Sequence, residues 1–159
     1  MAPAVLRSAL WAADQSAPNI SARASAVHKR ALVFDGHVHA LDREFYHGGN
    51  MGARLPDGQW DLQGAKEGGV SAFFLSVFIP EEYYPGRFET KQAFRRVDDA
   101  LLQLRKNSDL VELALNADDV ERIHSQGKMA AVLDIEGSYD LDGDLGVLRD
   151  LYRLGLRSA

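Results

Sequence analysis

Apolar residues in this chain gather in short runs, and between the runs they recur at three and four positions, so strand and helix signals take turns along the sequence. Ser21 can cap a helix from Ala22 to Arg30, which feeds a first strand, Ala31 to Asp35, whose apolar run stops at Asp35-Gly36. Asp61 to Glu67 reads as a short helix halted by Gly68-Gly69. Val70 to Ile79 is nearly all apolar or small ahead of Pro80, and a run without strict alternation fits a strand covered on both faces. From Thr90 the positions Phe94, Val97, Leu101 and Leu104 predict an amphipathic helix to about Lys106, with Lys91, Arg95, Arg96, Arg105 and Lys106 on its solvated side. Asn116 opens a helix through His124, closed by Gly127, and Lys128 to Ile135 is a third strand. A loop, Glu136 to Gly143, then leads through Asp144 as cap to a helix, Leu145 to Leu154, with Gly155 as its stop. Leu156 to Ala159 begins a fourth strand.

Strand and helix repeats of this spacing belong to parallel sheets with right-handed crossovers, so the fold class is α/β. A complete eightfold barrel takes about 250 residues. These units therefore predict a partial (β/α)8 TIM barrel, about its first half, over residues 21–159. Residues 1–20, rich in Ala with Ser, Asp and Pro, show no sustained period and predict a poorly ordered arm. An open half barrel exposes strand edges and apolar interior, so association, with a homodimer as one form of it, is expected.

Composition narrows the chemistry. The 159 residues carry a net charge of −5 and offer no basic stripe, which argues against nucleic acid as a partner. There is no cysteine, so any metal must sit on His and carboxylate ligands. No apolar run approaches the ~20 residues of a membrane span, and no clear signal peptide stands at the start; localisation is left open between cytoplasmic and exported.

Candidate chemistry concentrates where strands end. His37 and His39 follow the first strand with one residue between them. Alternation along an extended chain turns both imidazoles to one side, and neutral imidazole is the commonest protein ligand for metals. The spacing alone equally suits two solvated loop histidines. Glu136 follows the third strand as the histidines follow the first, and such strand ends open on one rim of a barrel, which makes it a natural third ligand. Asp134 competes with it and is expected on the opposite side of the strand. His47 lies in the long loop Leu41 to Gly58, where a solvated role or a substrate-side role can be read. His124 suits a helix carboxyl end and is assigned no chemistry. Asp140-Leu-Asp-Gly-Asp144 begins like a calcium loop, but Leu145 and Leu151 stand where that loop needs Gly and Glu.

Several segments in order, Val33-Phe-Asp-Gly-His-Val-His39, Gly68 to Pro80, Ala117-Asp-Asp-Val120 with Gly127-Lys128, and Asp134-Ile-Glu-Gly137 followed by Leu145 to Arg157, resemble the membrane (renal) dipeptidase family of zinc peptidases, family M19. The resemblance runs from about Ala22 to the last residue. It implies a barrel of the metal-dependent hydrolase type with two Zn2+ ions bridged by a glutamate, hydrolysing dipeptides. It implies His37 and His39 as first-strand metal ligands and Glu136 as the bridge. Many members carry Asp where this chain has His39, which makes the site one unit more positive. The family's second pair of His ligands, its substrate-binding His and Arg and its catalytic Asp belong to later strands, so no catalytic residue beyond the metal ligands is expected here and the chain alone is expected to be inactive. A barrel hydrolase of the amidohydrolase type, such as a deaminase or lactonase, and a non-catalytic fragment remain the alternatives.

Overall fold

Capping side chains start four helices in this molecule, a computed structural model that describes residues 19–41, 49–56, 58–80, 88–137 and 141–159. The chain divides into two compact units, residues 1–30 and 31–159. The first contains helix α1 (Ala22–Arg30), begun by Ser21, whose Oγ accepts a hydrogen bond from Ala24 N at 3.1 Å. Most of the arm expected over residues 1–20 lies outside the described residues.

The second unit runs β1 (Val33–Val38), α2 (Leu62–Glu67), β2 (Val70–Phe78), α3 (Glu89–Lys106), β3 (Val111–Leu113), α4 (Ala117–Ser125), β4 (Met129–Glu136), α5 (Leu145–Leu154) and β5 (Leu156–Ser158). Side chains of Asp61, Asn116 and Asp144 accept from Gly64 N, Asp119 N and Gly146 N at 2.6, 2.8 and 2.6 Å, opening α2, α4 and α5 at the predicted residues. Gly155 ends α5 at φ 119°, in the left-handed region that favours glycine. Two strand boundaries differ from the sequence reading: β1 lies over Val33–Val38 rather than Ala31 to Asp35, and β4 runs on to include Glu136. The three-residue strand β3 was not expected.

All pairings are parallel, in the order β1-β2-β4-β3, with β5 also paired to β4. β2 occupies one edge of β4 along its length, so β3 and β5 share the other: β3 beside Met129 to Ala131 and β5 beside Leu133 and Asp134. The chain therefore steps past the β4 position to form β3 and then returns. Right-handed crossovers put helices from opposite directions of travel on opposite faces. Phe73, Leu75 and Val77 of β2 and Leu133 and Ile135 of β4 share a core with α2, α3 and α5, whereas Ala72 and Ala130 pack with Ile123 and Val120 of α4. We call these the α3 face and the α4 face. Both faces of β2 are thus covered over most of its length, as its unbroken apolar run predicts.

One expectation on α3 fails. Arg96 is fully buried rather than solvated. It falls on the inward stripe with Ala93, Val97 and Ala100, three or four residues apart, so the helix is rotated towards its small residues.

Candidate metal centre

The α4 face becomes polar at the carboxyl ends of the strands. His37 Nε2 lies 2.7 Å from His39 Nε2 and 3.0 Å from Glu136 Oε2, and His39 Nε2 lies 2.7 Å from the same oxygen. Three ligand-type atoms from β1, the residue just past it and the last residue of β4 thus form a nearly equilateral triangle. Their side chains keep 47%, 35% and 45% of their surface open, so the triangle is reachable from solvent.

Plain alternation does not produce this arrangement. The β1–β2 register pairs Asp35 with Phe73 but Val38 with Leu75, so β1 holds one extra residue at Gly36-His37, a β-bulge. Phe34 packs at a tilt against Phe74 of the α4 face with centroids 5.1 Å apart. Were the same residues paired without a bulge, His37, three positions on from Phe34, would point to the other face. With it, Val38 enters the core of the α3 face while His37 and His39 join Phe34 on the α4 face. Asp35 supports the bulge, its Oδ1 accepting from His37 N at 3.2 Å.

Behind the triangle lies a second layer. Ser76 Oγ is 3.0 Å from His37 Nδ1 and donates to Asp134 Oδ2 at 2.6 Å. The expected opposition of Asp134 and Glu136 does not hold. Two residues apart on β4, opposite Ser76 and Phe78 of β2, both point to the α4 face, Asp134 one layer deeper and buried. The ring of Phe78 meets His39 edge-on at 5.8 Å between centroids. Ser76, Asp134, Phe78 and Asp35 had no part in the sequence-derived site. The available signal for Ser76 is a lone hydroxyl inside the apolar run Phe73 to Phe78.

The donor set fits a cation. A triangle with sides of 2.7 to 3.0 Å is small enough for one ion at about 2.0 to 2.2 Å from each corner, and tetrahedral spacing would open it only to about 3.3 Å. Two imidazole nitrogens and a carboxylate oxygen also bring more lone pairs than protons, a mismatch that positive charge relieves. Among the described residues no second group of three such side chains converges. His47 and Asp140 lie outside the described residues. His124 is exposed in the last turn of α4, which leads into the amino end of β4, the end remote from Glu136. No helix among the described residues is long and apolar enough to cross a membrane.

Comparison with known proteins gives a consistent result. The sequence model of membrane dipeptidase (peptidase family M19) matches residues 21–159. Dipeptidase 3 of Rattus norvegicus is 29% identical over 147 residues, covering 89% of this chain and 29% of the relative. The probable dipeptidase PvdM of Pseudomonas aeruginosa superposes with a TM-score of 0.73 at 28% identity, over 85% of this chain and 35% of that one. A metallopeptidase of Rhodobacter sphaeroides, solved with a phosphinate mimic of the dipeptide L-Ala-D-Ala, shares the fold at a TM-score of 0.66 and 23% identity, over 79% and 43%. The chain spans less than half the length of each. Its parallel α/β sheet corresponds to one part of the barrel found in the M19 structures.

Proposed function

The chain belongs to the membrane dipeptidase family, peptidase family M19, and on that premise we propose that it serves zinc-dependent hydrolysis of dipeptides, with His37, His39 and Glu136 as metal ligands. The observation that carries the reading is the triangle of Nε2, Nε2 and Oε2 atoms at the carboxyl end of a parallel sheet, where barrel enzymes build their sites. With imidazole and carboxylate donors and no thiolate, the set suits Zn2+.

A bound metal pair would supply Lewis acidity, polarising a scissile carbonyl and activating water near neutral pH. The residues of this chain have simpler duties. His37 and His39 offer neutral donors on one side, Glu136 brings the negative charge and a second oxygen suited to bridging, and Phe78 walls the His39 ring. An imidazole at position 39, in place of the carboxylate that the family resemblance leads one to expect, leaves the site one unit more positive. His39→Asp should therefore tighten divalent-ion binding. Ligands for a second ion are not brought together among the described residues, so this chain by itself should bind one zinc and hydrolyse dipeptides too slowly to measure. Exposed Leu32, Phe34, Leu115 and Tyr152 support the expected self-association, which sedimentation velocity would detect.

Zinc titration followed by calorimetry tests the site: one ion per chain is expected, and equal weak binding by His37→Ala/His39→Ala would refute it. Assaying the natural gene product on dipeptides against lactones and cyclic amides tests the substrate class. Turnover of the latter alone would move the reading to an amidohydrolase-type enzyme.

A further inference from the structure

The exposed triangle rests on a buried pair. Ser76 has no exposed surface and Asp134 keeps 9%, each flanked on its strand by apolar neighbours, Leu75 and Val77 for the one, Leu133 and Ile135 for the other. Burying a hydroxyl and a carboxylate costs free energy that Val or Leu would not incur. Packing alone does not account for them.

A serine hydroxyl has one proton to give. Ser76 Oγ stands 2.6 Å from Asp134 Oδ2, the length of an O–H donor meeting a carboxylate, so the proton points there. The lone pairs left on Oγ face His37 Nδ1 at 3.0 Å, and only a protonated Nδ1 can answer a lone pair. Asp134 Oδ2 itself is 3.8 Å from that nitrogen, too far for a direct hydrogen bond. The serine is the link.

We propose that Ser76 and Asp134 are positioning residues: the chain from the Asp134 carboxylate through the Ser76 hydroxyl to His37 Nδ1–H fixes His37 in one tautomer and one ring orientation. In the neutral ring Nε2 then carries a bare lone pair towards His39 and Glu136. An unconstrained imidazole would have to choose this tautomer as it bound a cation, and the relay makes the choice in advance. It also leaves His37 Nε2 and Glu136 Oε2, two acceptors, 3.0 Å apart, a contact that a cation turns from unfavourable to favourable. The purpose of the relay rests on the metal-site reading; its geometry does not.

Nitrogen-15 chemical shifts of the His37 ring, assigned by their loss in His37→Gln, report the tautomer in the metal-free chain. The parent is expected in the Nδ1–H form. Ser76→Ala should return the ring to a mixture of tautomers and weaken zinc binding, read by competition with a chromophoric chelator, by roughly 10- to 100-fold. That substitution leaves a buried carboxylate without its partner, which threatens folding. Ser76→Ala/Asp134→Asn removes the orphaned charge and should give the same mixed ring spectrum with an unchanged circular dichroism spectrum. A parent ring in the Nε2–H form, or a ring spectrum that neither variant alters, overturns the relay even if zinc binds. A ring that responds to both variants in a chain that binds no zinc upholds the relay and refutes the metal reading instead.

Discussion

The two ends of the α4 face are built from the same two strands and have opposite characters. At the amino ends, Ala72 and Ala130 sit side by side under Ile123 and Val120, and carbon meets carbon. Four residues further along each strand the paired positions are Ser76 and Asp134, and beyond them Phe78 and Glu136. Register and backbone geometry carry on through both ends, so the difference is one of side chains alone. One end contributes stability by burial; the other gives up apolar packing for a polar cluster open to solvent, the division expected between the bottom and the top of a parallel barrel.

The largest break in that contrast should come from His37→Ala/His39→Ala. Removing two of three ligands should abolish zinc binding in calorimetry while the thermal midpoint in the absence of zinc barely moves, because both side chains are substantially exposed. Deleting Gly36 tests the bulge instead. It removes the extra residue and lets plain alternation from Phe34 carry His37 and His39 to the α4 face, with Val38 still opposite Leu75, so zinc binding should weaken but persist. Gly36→Ala is its control. A Cβ there meets nothing within 4 Å, so affinity and stability should stay close to the parent's.

Ile123→Ala attacks the other end. Ile123 is fully buried, and its truncation should lower stability in urea titration by about 2 to 5 kcal/mol. Zinc affinity of the folded protein should stay within twofold. A comparable loss of affinity would mean that the two ends are coupled.

The smallest effect is a pH dependence. Burial pushes the Asp61 carboxyl up, but the amides of Gly64 and Leu55 and the guanidinium of Arg54 outweigh it and hold the group below its ordinary value of 3.8. A carboxyl lowered in the folded state contributes stability above its ordinary value and loses that contribution as pH falls through the folded-state value. Asp61→Asn, which keeps a capping oxygen but cannot ionise, should therefore cost at most about 1 kcal/mol at neutral pH and flatten the acid limb of the stability curve below about pH 4. An acid limb as steep as the parent's would show that other groups set it.

Local chemistry was the legible part of this sequence. Ser21, Asn116 and Asp144 each cap a helix where they were expected to, and Asp61 caps the helix it was expected to begin, since a cap involves only a side chain and an amide two or three residues away. Non-local geometry was harder to read. Val111 to Leu113 is too short for a period and becomes a strand through the edge that β4 offers it. Arg96 is buried because the contacts of α3 favour its Ala93 and Ala100 side, which an apolar-residue pattern underweights. The convergence of His37, His39 and Glu136 could be anticipated from strand ends, and alternation does turn the two imidazoles the same way, but the bulge that sets which face they share with Glu136 was not legible. Ser76 and Asp134 were invisible as a pair, since nothing in either strand says that the two will be neighbours.

The central claim is that the imidazoles of His37 and His39 and the carboxylate of Glu136 hold one cation at the carboxyl end of this sheet. Anomalous diffraction at the zinc edge, from crystals of the protein soaked in zinc, tests it directly. The account predicts a peak at about 2.0 to 2.2 Å from His37 Nε2, His39 Nε2 and Glu136 Oε2 together. Zinc bound elsewhere, or those three atoms turned away from one another around an empty triangle, would contradict it.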